Sequence, residues 1–201
     1  MNNRGPRYPG YNVLDKRDTP SWNEITRKVI DHRLTLDGPK FFTLEEWLTL
    51  RDLCDCIVPQ RSGRAPVQCA ALVDHKMELD QRDGFRPPSL PSQREAWRRG
   101  IAAINEECRE RYGGAFHELT GGQQDRLLRL LEEGEASSPA WGDMPAKVFF
   151  KRRLVHDIAA AYYALPHAWN EMGFGGPASP RGYVRLDFNK RDRWEAIEQH
   201  D

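Results

Sequence analysis

No stretch of this chain stays apolar for the roughly 18 residues that a membrane-crossing helix needs, so none is expected to span a bilayer. The first twenty residues lack an apolar run of any length, and the expectation is a chain with no secretory signal of its own. Arg98-Arg99 and Arg152-Arg153 fall inside predicted helices and do not read as export signals. Charge of one sign is also missing. Thirty basic residues balance thirty acidic ones, which leaves no net field to draw in nucleic acid or an anionic membrane. Apolar side chains make up only 39% of the 201 residues, little for a self-contained domain of this size. That shortage fits either an ordinary helical protein with a polar surface or a chain that completes its core against another subunit.

Cysteine is scarce, with Cys54, Cys56, Cys69 and Cys108 only. On a helix, Cys54 and Cys56 point about 200° apart and cannot chelate one metal, so the thiols are expected to be buried and structural. The sequence contains no G-x-G-x-x-G, no Walker loop, no G-x-S-x-G and no H-E-x-x-H. Gly173-Phe174-Gly175-Gly176-Pro177 is rich in glycine but follows a helix, and Pro177 denies it the helix start a phosphate would use. His156-Asp157 are neighbours in sequence and diverge on a helix. The reading is a chain with no catalytic residue, no cofactor site and no metal site.

What the sequence does contain is helix. Ser21-x-x-Glu24, Thr43-x-x-Glu46, Ser92-x-x-Glu95 and Thr120-x-x-Gln123 each match the capping box, in which a side chain at each end satisfies an otherwise unpaired N–H. The first predicted helix places Trp22, Ile25, Val29 and Ile30 on one side, and the second carries Leu44, Trp47, Leu48, Leu50 and Leu53. Pro66 opens a third, with Val67, Leu72, Val73, Met77 and Leu79. The cleanest period belongs to Trp97, Ile101, Ile104, Cys108 and Tyr112, closed by Gly113-Gly114. Leu127, Leu128, Leu130 and Leu131 form another helix, closed by Gly134. Gly182 to Phe188 is the one candidate strand, and Trp194 with Ile197 suggests a short last helix. The expected class is all-α.

The last quarter organises the rest. Between Pro145 and Pro166 the pattern predicts one helix of about 20 residues, apolar around most of its circumference. From Pro166 no period of 2 or 3.6 is apparent, yet Trp169, Phe174 and Tyr183 stand among glycine and arginine. The expected organisation is an extended arm over 1–20, a helical domain over 21–165 and an irregular partner-binding tail over 166–201.

Several blocks together resemble the gluconate 2-dehydrogenase subunit 3 family. They are Thr43-Leu44-Glu45-Glu46 with Leu50, Cys56-Ile57-Val58-Pro59, Tyr112-Gly113-Gly114-Ala115-Phe116, Leu119, the Gln123-to-Leu131 helix and Phe149-Phe150. Pro166-His167-Ala168-Trp169, Met172-Gly173-Phe174-Gly175-Gly176-Pro177 and Gly182-Tyr183 complete the set, which covers roughly residues 43–185 and is most specific at its end. The resemblance implies a non-catalytic small subunit in a hetero-oligomer. Its partner would be a large FAD-containing oxidoreductase of the glucose–methanol–choline type that oxidises a sugar, sugar acid or glycoside. A cytochrome c or other electron-transfer subunit often joins such complexes. Small subunits of this kind often carry an export signal; here a polar arm stands instead, which leaves a cytoplasmic complex or export alongside a signal-bearing partner. The expected interface is Trp169, Phe174, Gly175, Gly176, Tyr183 and Arg185, with Tyr11 and Trp22 from the N-terminal side. The rival reading is a free-standing helical adaptor with no redox partner.

Overall fold

A computed structural model describes residues 7–60, 63–178 and 181–199. The α-helices are α1 (Glu24–Thr35), α2 (Leu44–Ile57), α3 (Val67–Glu78), α4 (Gln93–Tyr112), α5 (Gly121–Glu133), α6 (Ala146–Phe149), α7 (Val155–Tyr163) and α8 (Pro166–Met172). A π-helical turn, Phe150–Leu154, joins α6 to α7. The described residues contain no strand, and the protein is all-α. The candidate strand over Gly182 to Phe188 is irregular, with bends at Tyr183, Leu186 and Asp187, and Trp194 and Ile197 lie in no helix.

The chain divides into two compact units. One is Leu36–Tyr162; the other joins the described parts of Met1–Thr35 and Tyr163–Asp201. These boundaries differ from the arm, helical domain and tail read from the sequence. The N-terminal stretch folds within the end unit instead of lying extended, and α8 replaces the start of the irregular tail.

In the Leu36–Tyr162 unit, α4 is the central helix, packed by α2 on one side and by α6 and the π turn on another. Trp97, Ile101, Ile104 and Cys108 are all fully buried, as their spacing predicts. Trp97 meets Phe149 edge to face at 5.8 Å, and Trp141 lies 5.9 Å from the same ring. Gly100 permits this closeness, since a Cβ there would come within 2.1 Å of the Phe149 ring. Loops are tied down by buried polar side chains on the helices. Asp74 accepts the N–H groups of Lys40, Phe41 and Phe42 at 2.8, 3.0 and 2.9 Å. Glu107 does the same for Ser137 and Ser138, and pairs with Arg111 at 2.6 Å. Asn105 Oδ1 accepts from the Thr49 hydroxyl at 3.0 Å and from Phe116 N–H at 3.1 Å. Each of these groups is buried, and each has the partners that burial demands.

The capping boxes divide. Thr43 and Glu46 form both halves of theirs, at 3.3 and 2.8 Å. In the Thr120 box, Gln123 reaches back to the Thr120 N–H at 2.9 Å. Ser92 makes no side-chain cap. At α1 the cap is Asn23, whose side chain accepts from Thr26 N–H at 2.8 Å, and not Ser21. That shift moves the helix start past Trp22, and it is Ile30 and Leu34 that the helix packs into the unit's core. Ile25 and Val29 therefore face solvent, Ile25 at 72% exposure, because five positions on a helix rotate by about 140°. Leu44, Val67 and Leu79 are likewise exposed, each at the end of its helix, where the core face no longer has a neighbour.

Candidate partner-binding surface

The eight residues expected at a partner interface all belong to the end unit, and the structure brings them together. Pro166 does stop the preceding helix, since Leu165 is extended at φ −101°, ψ 141°. It also starts α8, because a proline at the first helical position gives up an N–H that would have no partner there. That second role, with only seven residues to display a period, hid the helix from a pattern reading.

α8 places Trp169 at 4% exposure, packed with Val13, Trp22 and Ile30 and flanked by Tyr11, Leu14 and Leu34. The Trp169 indole donates to the Tyr163 carbonyl at 2.7 Å. Asn170, the next residue, accepts from Val13 N–H at 2.7 Å and so fixes the turn Val13–Lys16 against α8. Tyr11 donates to the Phe174 carbonyl at 3.3 Å, and the Lys16 ammonium donates to the Gly175 carbonyl. Arg17 pairs with Asp31 of α1, and Arg33 donates to the Ala164 carbonyl at 3.1 Å. Trp169 and Trp22 are thus the unit's own core. They support a surface from beneath and do not form it.

The loop after α8 explains its glycines. Gly176 sits at φ +65°, and a Cβ there would stand 3.1 Å from the Trp169 ring and 3.4 Å from the Trp22 ring. Phe174 meets Trp169 edge to face at 6.0 Å and Tyr183 at 6.4 Å, and the Tyr183 hydroxyl donates to the Gly176 carbonyl at 3.1 Å. Arg185 forms a two-point pair with Glu195, its Nη2 and Nε at 2.9 Å.

From this support the chain turns outward. Tyr183, Val184, Leu186 and Phe188 are exposed, Phe188 at 91%, and Phe174 is partly so. The exposed apolar side chains are therefore Phe174 and Tyr183 of the expected interface, with three that lie outside that expectation: Val184, Leu186 and Phe188. All three lie within the Gly182-to-Phe188 stretch that the sequence offered as a candidate strand, and no periodicity there foretold their exposure.

The Leu36–Tyr162 unit offers a second polar cluster. Asp83, His156 and Asp157 bring possible ligand atoms within 4.8 Å of one another. Lys76 already pairs with Asp83 at 2.6 Å and with Asp157 at 3.2 Å; Arg153 pairs with Asp83 at 2.7 Å. Trp97 donates its indole N–H to Asp157 at 2.8 Å. Both carboxylates are thus engaged by cations, and the cluster forms a clasp across α3, α4 and α7, with His156 Nδ1 a further 3.1 Å from Asp157. The thiols are equally occupied with packing: Cys54, Cys69 and Cys108 are buried and Cys56 partly so. A hydrogen bond with Cys69 and burial push the Cys54 thiol well up, and burial raises Cys56 to about 11 and Cys108 to about 12. Thiols held protonated in this way are poor nucleophiles.

No curated protein and no solved structure matches the chain. The family model for gluconate 2-dehydrogenase subunit 3 matches residues 44–176, from the first turn of α2 to the glycine packed on Trp169. With α2 through α8 and the glycine loop all inside that match, the chain belongs to the gluconate 2-dehydrogenase subunit 3 family.

Proposed function

We propose that this chain is the non-catalytic small subunit of a flavin-dependent dehydrogenase complex. It binds and stabilises a large FAD-containing subunit of the glucose–methanol–choline type, which oxidises a sugar, sugar acid or glycoside. The family match over residues 44–176 carries the reading, because the family is named as a subunit of a dehydrogenase complex. Two features of the chain support it. The charge clasp at Asp157 is fully engaged by cations, as a structural network is. The apolar segment Tyr183–Phe188 stands exposed directly after the matched region. In this reading FAD sits on the large subunit, electrons leave through it or through a cytochrome-type subunit, and this chain supplies contact area.

Co-expression with a large flavoprotein subunit from the same genome tests the proposal. The two chains should elute together with flavin absorbance, and omitting this chain should lower the yield of soluble flavoprotein. A flavoprotein equally soluble and active alone, with this chain eluting separately, would overturn it.

A further inference from the structure

The exposed segment of the end unit is not a loose tail. Asp192 Oδ1 accepts the Leu186 N–H at 3.0 Å, and its other oxygen pairs with Arg181 at 3.2 Å. The Asp192 N–H donates to Glu195 Oε1 at 2.9 Å, and Arg185 holds Glu195 in turn. The chain from Leu186 to Asp192 is thereby closed into a loop. At its tip the Lys190 N–H donates to the Asp187 carbonyl at 3.4 Å, so Phe188 and Asn189 are the central residues of a turn. Asn189 takes the left-handed backbone at φ +59°, which asparagine tolerates better than most side chains. Phe188 thus stands exposed at an apex that is fixed from behind. The charges around it are unevenly spent. Arg181 and Arg185 are taken up by Asp192 and Glu195, whereas Lys190 and Arg193 are exposed and form no ion pair among the described residues. Asp187, also exposed, has no cation paired with it among the described residues. An aromatic already held in place loses little freedom on binding, and unpaired surface cations steer a partner of opposite charge.

We infer that the loop from Leu186 to Asp192 is a preformed knob: Phe188 enters an apolar pocket on the large flavoprotein subunit, and Lys190 and Arg193 face carboxylates on the rim of that pocket. The inference rests on the reading that this chain binds such a subunit, and adds the chemistry of the face it binds. Charge selects this occupant over an anionic membrane. Asp187 adjoins Phe188, and a bilayer that took the ring would draw that carboxylate into a layer of anionic headgroups that repels it. A protein pocket takes the ring and leaves Asp187 outside.

Binding of the full chain to the large subunit from the same genome, followed in real time, is the test. It is run at low ionic strength and again near 1 M, where the screening length falls to about 3 Å. Wild type should associate at least tenfold more slowly in high salt. A Lys190→Glu, Arg193→Glu double variant should associate at least tenfold more slowly than wild type in low salt, with little change in dissociation, because rim charges act on encounter. Phe188→Ser should instead speed dissociation at least tenfold, as loss of an anchor does. Both variants alter exposed side chains, and their melts should stay close to wild type. A charge-reversed variant that associates as fast as wild type overturns the inference and leaves the subunit reading standing, and so does Phe188→Ser with wild-type dissociation. No complex with wild type at either salt overturns both. Sedimentation of wild type with vesicles of phosphatidylcholine and phosphatidylglycerol, lost in the charge-reversed variant, would assign the knob to a membrane and overturn the inference.

Discussion

Trp169 and Phe188 are both large apolar side chains near the C-terminus, at 4% and 91% exposure. They should answer mutation in opposite ways. Trp169→Ala removes a buried indole packed on Val13, Trp22 and Ile30, a loss of about 3–5 kcal/mol for large-to-small changes in a core. Denaturant melting of the free chain should show that loss. Phe188→Ser should shift the same melt by about 0.5 kcal/mol or less, since it removes no packing. A second residue-level test concerns Lys16, held at about 8 instead of its ordinary 10.5. Its unfolded state keeps the proton more tightly. The cost of burying the charge is therefore present below pH 8, and stability from this group rises between pH 8 and 10.5. The raised thiols Cys56 and Cys108 act in the opposite direction above pH 9, so the difference between wild type and Lys16→Met isolates the lysine. Residues such as Trp97 were legible because periodicity states which face is buried. Trp169 was not, because the residues that bury it, Val13, Trp22 and Ile30, come from the far end of the chain, and no local pattern reports such a contact.

Among elements, α4 could be read nearly to the residue, whereas the last quarter was read as one helix and an irregular tail. The structure instead breaks it into α6, a π turn, α7 and α8. A proline reads as a stop from one side and as a start from the other, and only the partner packed on α8 decides between them. The loops that organise the Leu36–Tyr162 unit were invisible for a related reason: Asp74, Asn105 and Glu107 look like surface polar residues until the backbone they capture is known. Glu107 gives this a test. Burial pushes its carboxyl up, but the N–H groups of Ser138 and Ser137 with Arg111 outweigh burial and hold it below its ordinary 4.5. Its contribution is present above pH 4.5 and is lost as the pH falls through the lower folded value. Glu107→Gln should therefore be less stable than wild type at pH 7, with the gap narrowing below pH 4.5. In the end unit, Gly176→Ala should cost about 1–2 kcal/mol from its left-handed backbone alone, and more if the Trp169 ring cannot yield. A melt indistinguishable from wild type would show that the loop does not pack on that ring as described.

At the scale of the molecule, the family match and the two ends of the chain divide the work. Residues 44–176 contain the α4-centred core and the α8 segment; residues 7–35 and 181–199 lie outside the match and build the end unit around α8. Tyr183, Val184, Leu186 and Phe188 stand exposed in the same unit whose core contains Trp169 and Trp22. We propose that this outward segment is where a large flavoprotein subunit binds. Truncating one desolvated aromatic anchor costs about 2 kcal/mol or more, which exceeds a decade in affinity. The decisive measurement is the affinity of the purified chain for that subunit, compared between wild type and a Val184→Ser, Phe188→Ser double variant whose melt is checked in parallel. At least a tenfold loss of affinity with an unchanged melt is expected; equal affinity from wild type and variant would rule the segment out as the binding site.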